Sequence, residues 1–350
     1  MKFCKDLKRR VSYLFTPAEP LPLFELPQKR EGYRLLFMSD IHLGSFGGAG
    51  GYSDTERMEK MVEVIKSEYE SERSFDAIIL AGDVADTNIA MRSDPSVNLH
   101  RVFKEKYIAR LAEASIPVFV QYGSHDATTE EDAYEIYGYS KSYCVRVGST
   151  LFISLDTYDG EMRIERDGKQ PKDIRAGLTK AILRYLSRPD IDEAFIVCHY
   201  PVFKENFFRI LSHGKVRGII SGHSHYNTVE MQNGKPMMQD GHFSRAYTKM
   251  LTRGLGFKLF QPVSIEGNGR KIDEEGYEWA DYSVTGSPWQ YRVVERTAEG
   301  TESYIVYPEM TYTEFESDGI VFPAFTQPYA EARPSFLGSD APLDKSYIKF

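Results

Sequence analysis

Five short apolar runs in this chain end in the same way, on a cluster of glycine, aspartate, serine or histidine. Met38 is followed by Ser-Asp-Ile-His (39–42), Ala81 by Gly-Asp-Val-Ala-Asp (82–86) and Tyr122 by Gly-Ser-His-Asp (123–126). Cys198 is followed by His-Tyr-Pro (199–201) and Ser221 by Gly-His-Ser-His (222–225). The runs themselves, 34–38, 77–80, 117–121, 194–198 and 216–220, have the length and residue types of buried strands. Between them, 55–69 places Met58, Met61, Val62 and Ile65 on one helical face, and 100–114 and 178–186 also read as helices. Residues 142–147 and 150–155 flank a Gly-Ser turn and read as a hairpin. Strands alternating with helices predict a layered α/β core. Ligands of α/β sheets sit beyond the carboxyl ends of the strands, where these polar clusters fall.

The chain has eight histidines, and five of them (His42, His125, His199, His223 and His225) lie in these segments, a concentration not expected of solvated surface residues. His223 and His225 are two apart, so an extended backbone would put both rings on one face. Taken alone, that pair suits either a metal ion or a polar loop. Asp40, His42, Asp83, Ser124, His125, His199, His223 and His225 together form a larger set. Carboxylates and neutral imidazoles suit borderline ions such as Mn, Fe and Zn. The set exceeds what one tetrahedral ion uses, whereas two ions sharing a carboxylate would clamp both oxygens of a phosphoryl displacement. A histidine outside the ligand set suits a proton donor to the leaving oxygen.

In their residues and order these five segments resemble the calcineurin-like metallophosphoesterase family over roughly residues 33–245. The segments at 153–157 (ISLDT), 178–186 and His199-Tyr-Pro201 add to the similarity, which points to the class with small cyclic-nucleotide phosphodiesterases and purple acid phosphatase relatives. The resemblance implies a four-layer α/β/β/α sandwich with two metal ions at one edge, Mn or Fe first and Zn as the alternative. It implies Asp40, His42 and His225 at the first ion, Asp83 bridging, and His199, His223 and residue 124 at the second. His125 would be the general acid, Asp126 would orient it, and Asp86 would support the ligand rings from behind. The implied activity is phosphoester hydrolysis, diesters over monoesters, by attack of a metal-bound hydroxide. The family usually has asparagine where this chain has Ser124. The shorter, weaker hydroxyl predicts a water-filled or weakened second site.

The rest of the chain bounds this function. A net charge of -8 disfavours broad binding to duplex nucleic acid. The resemblance implies a small-molecule or nucleotide phosphate ester as the substrate. Lys204, Lys215 and Arg217 are the local hint of a nuclease groove. An inactive metal-binding scaffold that recruits partners through residues 250–350 is the alternative from another class. The three cysteines, widely spaced and without a CxxC, fit a reducing, cytoplasmic setting better than a disulfide framework. Residues 1–15 form a basic amphipathic pattern, read as a docked or frayed helix in preference to a membrane-surface anchor, and no signal peptide is recognised. Four prolines in 16–28 predict an extended connector. The expected organisation is 1–30 as helix and connector, 31–245 as the metallophosphoesterase domain and 246–350 as a β-rich extension. His100 is expected to be structural. His213 and His242 are weaker candidates for substrate contact, the glycine-rich 45–54 reads as a flexible loop, and the aromatics of 277–291 are assigned to packing.

Overall fold

The computed structural model describes residues 15–28, 30–44, 55–87, 96–158, 173–223, 227–240, 268–272, 278–282, 289–312, 315–317, 320–322, 325–334 and 346–350, together with Tyr13. The strands are β1 (Leu23–Leu26), β2 (Tyr33–Met38), β3 (Ala77–Ala81), β4 (Val118–Gln121), β5 (Tyr143–Val147), β6 (Thr150–Ser154), β7 (Glu193–Val197), β8 (Val216–Ser221), β9 (Thr228–Gln232) and β10 (Lys235–Gln239). Further on come β11 (Asn268–Ile272), β12 (Glu278–Tyr282), β13 (Tyr291–Thr297) and β14 (Gly300–Tyr307), then short strands from Met310 to Glu331 and a last one at Ile348–Lys349. The main helices are α1 (Thr55–Glu70), α2 (Leu99–Phe103), which continues through a π turn (Lys104–Ile108) into α3 (Ala109–Glu113), α4 (Glu130–Tyr137), α5 (Ala176–Leu186) and α6 (Glu205–Leu211).

Two sheets form. One runs β1-β5-β6-β7-β8-β10-β9, and the other carries β14-β13-β2-β3-β4 in order. The strands β2, β3 and β4 are parallel neighbours, as are β6, β7 and β8, so each set ends on one edge.

Side-chain alternation builds the layers. Leu35, Phe37, Ala77, Ile79 and Phe119 face Phe152, Phe195, Val197 and Ile220 between the sheets. The alternate residues Leu36, Met38, Ile78, Leu80 and Val120 pack beneath Met58, Val62, Ile65, Phe103 and Leu111 of the helices. On the other outer face, Leu151, Ile153, Ala194, Ile196 and Ile219 pack with Leu178, Ile182, Phe207 and Ile210. The result is the expected α/β/β/α sandwich. Most of these strands are covered on both faces, which is why they read as continuous apolar runs rather than alternating ones.

The C-terminal region enters this core. Strand β13 lies antiparallel to β2, with Arg292 opposite Phe37 and Val294 opposite Leu35, and β14 pairs with β13. The boundary expected at 245 therefore divides the sequence but not the packing, since 291–307 completes the domain's own sheet. Trp289 and Tyr291, expected to pack, are buried in the helix-covered core. Within the proline-rich connector, β1 is a strand paired parallel with β5. No helix among the described residues is long and apolar enough to cross a membrane. Most of 1–15, and all of 45–54 and His242, lie outside the described residues.

Candidate metal centre

The ends of β2, β3, β7 and β8 meet at one edge of the sandwich, and the turns that leave them have unusual backbones. Asp40 (φ 55), His42 (φ 52), Asp83 (φ 50) and His223 (φ 74) all occupy the left-handed region. That conformation costs a non-glycine residue about 1–3 kcal/mol and persists only where surrounding bonds enforce it. Here Asp40 N–H donates to Gly82 O at 3.0 Å, His42 N–H to Asp83 O at 2.9 Å and Asp86 N–H to Leu43 O at 2.8 Å. The two loops are laced together, and the strained residues project their side chains into one place.

Asp83 is the hub. Its Oδ2 lies 2.9 Å from His199 Nε2, 3.9 Å from His42 Nε2 and 4.0 Å from His125 Nε2. Its Oδ1 accepts the His125 backbone N–H at 2.7 Å, and Ser124 Oγ donates to Oδ2 at 3.2 Å. Gly123 permits this approach: a Cβ there would sit 2.3 Å from Asp83 Oδ1. Asp40 closes the other side. Its Oδ1 is 3.6 Å from His42 Nε2 and 4.0 Å from His199 Nε2, while Oδ2 accepts from Ser39 Oγ at 2.6 Å and His223 N–H at 3.0 Å.

The outer ring nitrogens have partners of their own. His199 Nδ1 lies 3.0 Å from Ala81 O, a partner that requires it to carry the proton. His42 Nδ1 and His125 Nδ1 lie 3.1 Å and 2.5 Å from the same oxygen, Asp86 Oδ1. Such partners fix the ring orientations and turn the Nε2 atoms toward Asp83. Among the described residues two groups of ligand atoms result, each within 4.8 Å: His42, Asp83 and His125, and Asp83, His199 and His223. Asp83 belongs to both. Carboxylates and imidazoles that share Asp83, buried except at His125 and His223, fit a pair of divalent ions, and the charge states agree. Burial opposes the Asp83 charge, yet His199, His42 and His125 hold its carboxyl well below the usual range. Asp86 is likewise held low against burial by hydrogen bonds from His125 and His42. Burial works to lower His199, but Asp83 and Asp40 push it up to about 9, the response of a site built around positive charge.

Asp126, expected to orient His125, is placed elsewhere. Its carboxylate accepts the backbone N–H groups of Gly123 at 2.8 Å, Ala85 at 2.8 Å and Val84 at 3.2 Å, and lies 3.0 Å from His100 Nε2. The carboxylate beside the His125 ring is that of Asp86, so Asp126 clamps the two loops while Asp86 takes the orienting place. His100 is fully buried behind this clamp, with Nδ1 2.9 Å from the Tyr137 hydroxyl, a structural position. His213 precedes β8 and so lies at the edge opposite His223, with its Nδ1 accepting the Lys215 N–H. Lys215 and Arg217 share that far edge, where Lys215 Nζ donates to Arg188 O and Arg217 is 4.0 Å from Glu193. Only Lys204 of the three basic residues follows a strand end at the metal edge. His225 lies outside the described residues.

Two tyrosines join the site without having been singled out in the sequence. Tyr158, nearly buried, has its ring centroid 6.0 Å from that of His199. Burial and the Asp83 charge push its phenol far up, offset in part by a hydrogen bond with Ser124. The half-exposed Tyr200 packs edge-on to His223 at 5.0 Å. Both were visible as neighbours of segments already noted, Tyr158 just after 153–157 and Tyr200 beside His199, but an aromatic next to a motif is not by itself a signal.

Comparison with known proteins adds a family. Residues 33–227 match the model of the calcineurin-like phosphoesterases. No curated protein matches the chain. Among solved structures it is similar to GAP50, the anchor in the inner membrane complex of Plasmodium, at 15% identity and TM-score 0.45, covering 85% of this chain and 90% of that one. It is also similar to vacuolar protein sorting 29 of Cryptosporidium parvum (12% identity, TM-score 0.34, covering 86% and 98%). A third is a predicted phosphoesterase of Streptococcus pneumoniae (12% identity, TM-score 0.32, covering 85% and 99%).

Proposed function

This chain belongs to the calcineurin-like phosphoesterase family, and on that premise we propose that it hydrolyses phosphodiesters at a two-ion centre. The observation that carries the proposal is the membership of Asp83 in both ligand groups. Asp40, His42 and His225 would hold one ion and His199, His223 and Ser124 the other, with Asp83 between them. When bound, such ions supply Lewis acidity at phosphoryl oxygens and acidify water at neutral pH. Mn and Fe suit this mixture of imidazole and carboxylate better than Ca does.

The chain's own residues do the rest. Asp40 and Asp83 are fixed by backbone and hydroxyl donors, so binding requires little rearrangement. The His125 ring is about one-third exposed at the mouth of the site, and Asp86 holds its Nδ1. Its Nε2 is left to exchange a proton with the leaving oxygen. The far-edge positions of Lys215 and Arg217 argue against a nuclease groove built on them, which favours a small phosphate ester. The buried thiols of Cys144 and Cys198 suit a reducing setting.

The test is hydrolysis of an aryl phosphodiester and an aryl phosphomonoester by the Mn-loaded protein, with His125→Ala and chelated protein as controls. Diester cleavage lost in both controls supports the proposal. A preference for the monoester would overturn the diester assignment. Metal binding with no hydrolysis would favour the scaffold role that Ser124 suggests.

A further inference from the structure

The metal centre is divided between two sheets. Asp40, His42, Asp83, Asp86 and His125 follow β2, β3 and β4 of one, whereas His199 and His223 follow β7 and β8 of the other. Apolar side chains fill most of the space between the sheets. Beside the metal edge, one charged strut crosses it.

That strut is Arg292. The β13 alternation places it inward with Val294, while Tyr291 and Val293 face the helices. It is fully buried and sits opposite Phe37, one residue before the end of β2. Its Nε donates to Asp240 Oδ1, Nη2 to Gln239 O at 3.3 Å, and Nη1 to Ser303 Oγ at 3.1 Å and Ser346 O at 3.0 Å. Gln239 and Asp240 end β10 in the other sheet. There Gln239 pairs with Ser221, and Asp240 N–H donates to Ser221 O at 2.7 Å. The next residue, Gly222, is pressed against the first sheet's ligand loop: a Cβ on it would lie 2.6 Å from Ser39 Cβ and 2.7 Å from Asp40 Oδ2. His223 follows, donating its N–H to that same Asp40 oxygen.

We infer that Arg292 is a positioning residue for the metal centre, fastening the β8–β10 edge that carries His223 to the β2 edge that carries Asp40. It acts through Asp240 and Ser221, and the hydrogen bonds named here go to none of the proposed ligand residues. The planar fork of arginine matters, because its nitrogens reach acceptors on both sheets in fixed directions. The C-terminal segment thereby has a task, that of bringing this cation to the site.

It rests on the two-ion reading, and the experiment separates the two. Mn binding isotherms and melting temperatures are measured for wild type, Arg292→Lys, and the double variant Arg292→Met with Asp240→Asn. The double variant removes both charges, so the net charge near the ions is unchanged and no buried charge is left alone. Wild type that binds no Mn would defeat the two-ion reading itself. The expected result is a folded double variant whose Mn affinity falls on the order of tenfold, with a similar loss in Arg292→Lys. Wild-type affinity in either folded variant would overturn the positioning role. Failure of both variants to fold would also overturn it, by leaving Arg292 a purely structural residue.

Discussion

Asp86 Oδ1 lies 2.5 Å from His125 Nδ1, and the same oxygen lies 3.1 Å from His42 Nδ1. One carboxylate oxygen thus sets the ring orientation of both a proposed metal ligand and the proposed acid. Replacement by the isosteric Asn keeps a carbonyl oxygen but removes the charge. Asp86→Asn is predicted to lower diester turnover by roughly 10–100-fold with little change in melting temperature. Steady-state kinetics beside a thermal melt check this, and unchanged turnover would contradict it.

Asp126 behaves differently. It holds three backbone N–H groups and faces the buried His100. Asp126→Ala leaves those donors buried without an acceptor, so a loss of about 3–5 kcal/mol in unfolding free energy is expected. Denaturant titration measures it. A stable but inactive Asp126→Ala protein would restore the orienting role that its position beside His125 suggested.

The contrast shows how far the sequence could be read. That Asp40, Asp83, His125, His199 and His223 meet was legible because each follows an apolar run, and a parallel sheet brings such ends together. Asp126 was misplaced because adjacency in sequence says little inside a tight turn, where neighbouring side chains diverge. Asp86, after β3, lies 39 residues before His125, after β4, and only strand order reveals the meeting. The place of β13 beside β2 was hidden for a related reason: local alternation marks a strand but not its distant partner. Arg292 breaks even the local rule, since an arginine on the inward face of a strand reads as exposed until Asp240 is seen opposite it.

Ser124 donates to Asp83 Oδ2 at 3.2 Å and also meets the Tyr158 phenol. A longer amide at this position would present a carbonyl oxygen to the second ion. Ser124→Asn is predicted to tighten the weaker Mn site and leave the stronger one unchanged. Calorimetric titration with Mn reads both affinities, and two equally tight sites in the wild type would remove the basis for the prediction.

The raised His199 pKa gives metal uptake a pH dependence. In the metal-free fold His199 titrates at about 9, above its ordinary value. Its proton therefore adds stability that is complete below about 6.5 and is lost as pH rises through about 9. A metal ion must displace that proton. Mn affinity should rise by up to about tenfold per pH unit toward pH 9 and flatten above it, with close to one proton released from His199 at neutral pH. Calorimetry in buffers of different ionisation enthalpy counts the proton. The site's disappearance of proton release in His199→Gln would assign it, and a pH-independent affinity would contradict it.

The most direct measurement is the number of Mn ions bound per chain at saturating free Mn, in wild type and in Asp83→Asn, by elemental analysis after rapid desalting. A shared carboxylate predicts about two ions in the wild type and weakened retention at both sites in the variant. Wild type holding a single ion, or Asp83→Asn holding two as firmly as wild type, would contradict a centre built around Asp83.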